Sequence, residues 1–171
     1  MDGIAWAGSA MEAAQSRLDI ATGNLANVST GGFEPLVARG ALTKNGVSIV
    51  VERGERHGAL RPTGRDLDLA IAGDGAFIVR DRNGKLWRTR DGAFVRNRDG
   101  SLSDPLGRTL VRTDVSRGSA VRHGFLETSG ADAIAEMIDV LWAQRSFESA
   151  QKAVSAIDGA RQRAADAARL K

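Results

Sequence analysis

The stretch IAWAGSAMEAAQSRLDIATGNLANV, residues 4–28, carries an unbroken seven-residue repeat. Ile4, Met11, Leu18 and Leu25 are spaced by seven, and Ala7, Ala14, Ala21 and Val28 each follow three residues later. That is an a/d heptad with large residues in one column and small ones in the other. It predicts a helix whose small column lets a neighbouring helix approach closely. Glu12, Gln15, Ser16 and Asp19 fall on other faces. Asp2 reads as the N-cap, where its charge also suits the helix dipole. The helix is expected to stop near Ser29-Thr30-Gly31-Gly32, with Pro35 preventing its resumption.

The end of the chain mirrors its beginning. Val140, Phe147 and Val154 form one heptad column, and Ala143, Ala150, Ile157 and Ala164 form the other. Ile134, Met137, Ile138, Leu141 and Trp142 add apolar surface on further faces, so this helix should be covered on more than one side. Asp132 reads as its N-cap. Beyond Gly159 the chain is mostly Ala and Arg, helix-prone but poor in large apolar groups.

Between the helices lies β sequence. Val47–Val51 reads as a strand, and from Leu67 onward turn dipeptides recur: Asp74-Gly75, Asn83-Gly84, Asp91-Gly92 and Asp99-Gly100. They punctuate short strands at Ala76–Arg80, Leu86–Arg90, Ala93–Asn97 and Thr109–Arg112. Such dipeptides supply the positive φ that hairpins need, so Gly75–Val111 is predicted to be an antiparallel meander with Phe77, Trp87 and Phe94 in its core. The fold class is therefore α+β, with N- and C-terminal heptad helices packing as a coiled-coil layer and a small antiparallel β module between them. The expected division is an N-terminal helix in 1–33, an irregular connector with a short strand in 34–66, the β module in 67–125, and the C-terminal helix in 126–171.

Composition narrows the chemistry. The 171 residues contain no cysteine, which excludes disulfide scaffolds, zinc ribbons and thiol nucleophiles. The two histidines, His57 and His123, stand apart and read as exposed polar residues. No apolar run reaches the length of a membrane span, and the first residues lack a secretory leader's basic and apolar regions. Net charge is +3, distributed as −3 over residues 1–35, +7 over 36–125 and −1 over 126–171. A basic middle between two mildly acidic ends points to three structural units.

Each candidate site has a plainer reading. Gly73-Asp74-Gly75 lacks the third glycine and following helix of a dinucleotide loop, and a strand follows it, so a hairpin or bulge is expected. Arg80, Arg82, Arg88, Arg90, Arg96, Arg98, Arg108 and Arg112, with Phe77, Trp87 and Phe94, could make a basic sheet for single-stranded nucleic acid. The alternative is a solvent face whose arginines pair with Asp81, Asp91, Asp99 and Asp104. Ser9 and Ser129 lack the context of an activated nucleophile. No catalytic, cofactor-binding or metal-binding residue is assigned. The strong signal is the pair of heptad helices, as an intramolecular helical hairpin, an adaptor, or a device for assembling copies. Residues expected at such an assembly interface are Ile4, Met11, Leu18, Leu25, Val28, Val140, Phe147, Val154 and Ile157.

Leu18–Phe33 resembles the N-terminal signature of bacterial flagellar rod and hook proteins, through Leu18, Asp19, Asn24, Leu25, Ala26, Asn27, Thr30, Gly32 and Phe33. Thr63–Phe77 is similar to the family's second signature, in Leu67, Asp68, Leu69, Gly73 and Gly75, and Arg88–Phe94 continues it. Glu136-Met137-Ile138, with Gln144, Arg145, Phe147 and Glu148, resembles its C-terminal helix motif. The likeness covers residues 4–35, 59–111 and 127–152, and three signatures in the right order are highly specific. It implies a structural subunit of the basal-body rod, proximal or distal, with its terminal helices in an inner coiled-coil layer and β domains outside. It implies partners that are other rod or hook subunits, further copies of the chain and the export apparatus, with passage from the cytoplasm by type III export without a cleaved signal. It implies neither enzyme activity nor a cofactor. Only Thr113–Gly124 stands where larger members carry an outer domain. A nucleic-acid-binding β module with dimerising helices is the alternative.

Overall fold

The computed structural model describes residues 3–44 and 46–169. The Asp2 cap lies outside the described residues. Contacts divide the chain into two compact units, one made of Met1–Leu25, Leu36–Arg53 and Ala133–Lys171, the other of Ala26–Pro35 and Gly54–Asp132.

The first unit holds helix α1 (Gly3–Ala26), a hairpin of strands β1 (Leu36–Thr43) and β2 (Gly46–Arg53), and helix α2 (Ala133–Arg169). The helices lie antiparallel. At one end Asn24 Nδ2 donates to Glu136 Oε2 at 3.1 Å, and at the other a Cβ on Gly3 would stand 3.2 Å from Ile157 Cδ1. The small column does the internal packing: Ala7, Ala14 and Ala21 on α1 are buried, as are Ala143 and Ala150 on α2. Ile4, Met11, Leu18 and Leu25 border that face and are only half-buried.

Where an irregular connector with a short strand was expected over 34–66, the strand read at Val47–Val51 lies within β2, and β1 pairs with it without a break from Leu36↔Arg53 to Thr43↔Gly46. The hairpin lies along α1. Ser9 Oγ accepts from the Val47 N–H at 3.0 Å near the hairpin tip, and Asn24 holds Leu36 at its base. The period-2 pattern was blurred because the helix covers only part of one face, so polar and apolar residues mix on both. Helix α1 also stops short of the expected boundary, so Val28 lies beyond it.

The second unit is β. Strand β5 (Gly75–Arg80) pairs with β6 (Leu86–Thr89) and with β9 (Thr109–Val115). The five-stranded sheet is completed by β8 (Leu102–Ser103) and β7 (Val95–Arg96) in the order β6-β5-β9-β8-β7. The expected simple meander is corrected here, because β9 inserts between β5 and the β7–β8 pair. Two smaller pairs join β4 (Leu69–Ala72) to β10 (Ala120–His123), and β3 (Leu60–Pro62) to β11 (Phe125–Glu127). Leu69, Ile71, Phe77, Val79 and Phe94 make the core, with the Phe77 and Phe94 rings edge to face at 5.2 Å. Trp87 is not part of it. The residue is 41% exposed, its indole N–H donates to Asp81 Oδ2 at 3.0 Å, and its ring lies under the Lys85 ammonium.

The turns follow one rule. Asp81–Gly84, Asn97–Gly100 and Asp104–Gly107 each begin with Asp or Asn and end on a glycine at φ between 74° and 85°. In each, the glycine N–H returns to the first residue's carbonyl. This is a type I turn followed by a left-handed residue, and glycine takes that conformation without strain. Asp91-Gly92 looks alike in sequence but works differently. A Cβ on Gly92 would lie 1.7 Å from the Leu69 carbonyl oxygen, so this glycine permits a close backbone approach.

Candidate functional site

In the first unit the functional candidates converge on Asn24. Two residues before the end of α1, its carboxamide reads both backbone groups of Leu36. Nδ2 donates to the Leu36 carbonyl at 2.8 Å, and Oδ1 accepts from the Leu36 N–H at 2.9 Å. Nδ2 also reaches Glu136 at the start of α2. Asn24 is 3% exposed and Glu136 8%. One short amide therefore fixes a helix end, a strand start and a second helix, which an aliphatic side chain cannot do. Val140, Phe147, Val154 and Ile157 lie half-buried along the face of α2 that carries Ala143 and Ala150. Ile134, Met137, Ile138, Leu141 and Trp142 are 47–73% exposed. Gln144, Arg145 and Glu148 are exposed as well.

In the second unit the sequence reading missed the central residue. Arg90, grouped above with solvent-facing arginines, is 1% exposed. All five of its N–H donors are engaged. Nε bonds Glu127 Oε2 at 2.8 Å and Oε1 at 3.1 Å, and Nη2 lies 2.7 Å from Oε2. Nη2 also donates to the Ile71 carbonyl, and Nη1 to the carbonyls of Gly73 and Gly75 at 3.0 Å. Glu127 Oε1 accepts from the Gly58 N–H as well. This fork joins β4, the β4–β5 turn, β11 and the segment before β3. Gly73-Asp74-Gly75 thus turns carbonyls toward a cation rather than N–H groups toward a phosphate.

Thr30, Gly32 and Phe33 close the adjacent corner. The Thr30 N–H returns to the Asn27 carbonyl, and its hydroxyl bonds Asn27 Oδ1 at 3.1 Å. The Gly32 N–H donates to the Glu127 carbonyl, and Gly130 N–H to that of Phe33. Gly32 has φ 62°, and a Cβ there would stand 2.3 Å from the Arg90 backbone. Asp68 is buried, with Arg65 Nη2 3.4 Å from its Oδ1, and Leu67 and Leu69 flank it. Burial pushes the Asp91 carboxyl above its ordinary value. The Ala93 N–H works against this, the charges of Asp104 and Asp68 add to it, and Arg108 opposes it. Asp81 and Asp99 titrate below the ordinary value, held chiefly by the hydrogen bonds from Trp87 and Ser101.

Of the arginine–aspartate pairs expected on the sheet, Arg108 with Asp104 forms, at 2.6 Å. His57 bonds Asp74 at 3.0 Å, and His123 is exposed on β10. Among the described residues no cluster of His, Asp and Glu could hold a metal ion, and no helix is long and apolar enough to cross a membrane.

Comparison with known proteins gives the same picture in three pieces. Residues 4–33 match the family described as flagella basal body rod protein. Residues 70–136 match the flagellar hook protein FlgE/F/G D1 domain, and 122–167 the flagellar basal body rod FlgEFG protein C-terminal family. The chain is 23% identical to the flagellar basal-body rod protein FlgG of Agrobacterium fabrum, over 92% of this chain and 96% of that one. That alignment runs over 251 residues against the chain's 171, so the relative carries long stretches without counterpart here. It is 38% identical to FlgF of Caulobacter vibrioides over 55% of this chain and 44% of the relative. It is 32% identical to the hook protein FlgE of Rhizobium meliloti over 68% of this chain, spanning about a third (32%) of that relative's length. The chain belongs to the flagellar basal-body rod and hook protein family, whose members are structural proteins and not enzymes.

Proposed function

We propose that this protein is a structural subunit of the bacterial flagellar basal-body rod that polymerises through its terminal helices into the axial drive shaft. The observation that carries this reading is the division of labour between the heptad columns. Alanines close the α1–α2 contact within the chain, while Ile4, Met11, Leu18 and Leu25 stay half-exposed along its border. A helical filament needs contacts that do not close on themselves, and half-exposed apolar columns beside a satisfied one supply them. In this reading the helices form a coiled-coil layer with those of neighbouring copies and of other rod or hook subunits. The assembly interface comprises Ile4, Met11, Leu18, Leu25, Val140, Phe147, Val154 and Ile157, with Val28 just beyond the helix. The subunit is exported from the cytoplasm by the flagellar export apparatus to a rod crossing the cell envelope. The nucleic-acid reading gains nothing from the relatives and is set aside.

Leu18→Asp tests the proposal. In the assembled layer it buries an unpaired carboxylate, at a cost of several kcal/mol. Cells carrying it as their sole copy should export subunit but build no rod and not swim, whereas Arg98→Ser, in an exposed turn, should swim normally. Normal flagella in the Leu18→Asp cells would sink the proposal.

A further inference from the structure

Two surfaces of the helical unit match each other. One is a groove of about 620 Å³ between α1 and α2, walled by Trp6 and Trp142. Its α2 side is lined by Ser146, Ser149, Ala150 and Ala153, with Arg145 and Ile157 at its edges. The other is the exposed apolar face of α2, made by Ile134, Met137, Ile138 and Leu141. The large residues sit at spacing i, i+3, i+4, i+7, and the small groove residues repeat that spacing twelve positions further along. Twelve residues are three and a third helical turns, so the two sets lie about 120° apart around α2. A copy cannot fill its own groove with its own ridge. The outward face turns polar after Leu141, with Glu148 and Lys152, so the ridge has a defined end.

We propose that the groove seats the apolar ridge of α2 from a second copy, with the two α2 helices parallel and staggered by about 18 Å. This rests on the reading of the chain as a polymerising subunit and deepens it by naming the faces and the direction. The four ridge side chains leave exposed on the order of 400 Å² of apolar surface, the size of patch that marks an interaction site on a monomer. That is close to half of the about 800 Å² one side of a stable interface covers. Large residues on one copy meet Ala and Ser on the next at matched spacing, which is how ridges enter grooves. Because ridge and groove are different surfaces, every seated copy still offers a free ridge or a free groove. The contact is heterologous and propagates.

The chain has no cysteine, so the seat can be read by disulfide formation. Leu141→Cys and Ala153→Cys place thiols at positions the stagger brings together, both exposed in the single copy. Under mild oxidation the purified full chain carrying both should give a ladder of dimer, trimer and larger species. The two single variants mixed should give dimer only, and each alone should give nothing. Adding Ser149→Trp, which fills the groove, should abolish the ladder at unchanged helix content. Dimer from Leu141→Cys alone, or dimer without a ladder from the double variant, would overturn the seat in favour of ridge-on-ridge or closed pairing. Oligomers seen by sedimentation with no cross-link would overturn the seat and leave the polymerising reading standing. A chain that stays monomeric at every attainable concentration would count against both.

Discussion

Replacing Arg90 with methionine keeps much of the side-chain length and removes every donor at the centre of the β unit. Glu127 would then keep only the Gly58 N–H, and the carbonyls of Ile71, Gly73 and Gly75 would each lose a partner. Removing one member of a buried ion pair costs about 3–5 kcal/mol, because the other charge stays buried without compensation. That is a large share of the roughly 5–15 kcal/mol that holds a domain folded. At about 2–4 °C per kcal/mol for a chain of this size, the melting temperature should fall by roughly 6–20 °C. The assay is urea and thermal unfolding of the full chain, followed by circular dichroism. Arg90→Lys keeps the charge but not the planar five-donor fork, and should fall between wild type and Arg90→Met. Arg90→Met with Glu127→Leu removes both charges and should recover part of the loss. An Arg90→Met variant within 1 kcal/mol of wild type would refute this account of the pair.

Two further outcomes follow from the geometry. Asn24→Ala deletes three hydrogen bonds, one buried and two part-buried, and should cost about 2–4 kcal/mol and speed hydrogen exchange at the Leu36 amide. Unchanged exchange at Leu36 would show that the clip does not hold the hairpin. The Asp91 carboxyl has its native pKa raised above the unfolded value, so its contribution is most favourable below the unfolded pKa and is lost as pH rises through the native one. Asp91→Asn, which can still accept the Ala93 N–H, should therefore stabilise the chain at pH 7 and lose that advantage near pH 3. Equal effects at both pH values would contradict the assignment.

The helices were legible because a seven-residue repeat is local and its alanines are informative by themselves. The β turns were legible for the same reason, although the operative unit is a four-residue Asp/Asn-x-x-Gly and not the dipeptide. Arg90 was not legible. The alternation Leu86-Trp87-Arg88-Thr89-Arg90 continues a surface pattern, and its partner Glu127 lies 37 positions away. Charged residues are exposed by default, and nothing local marks the exception. Asn24 was quoted as part of a motif, but its role depends on the backbone of Leu36 and on Glu136, which only the fold brings near. The hairpin over 36–53 had a usable signal in the dipeptide Asn45-Gly46 between two runs of apolar and β-branched residues. The insertion of β9 beside β5 is a long-range pairing that strand lengths and turns do not encode.

The central claim, that the chain is built into the rod, is tested most directly by purifying basal bodies from cells with and without its gene. The account predicts that the protein is present in intact rods in fixed proportion to the other axial subunits. It also predicts that micrographs of the deletion strain show basal bodies whose rods are missing or truncated, restored by the wild-type gene and not by Leu18→Asp. Complete rods in the deletion strain, or basal bodies lacking the protein in the parent, would contradict it.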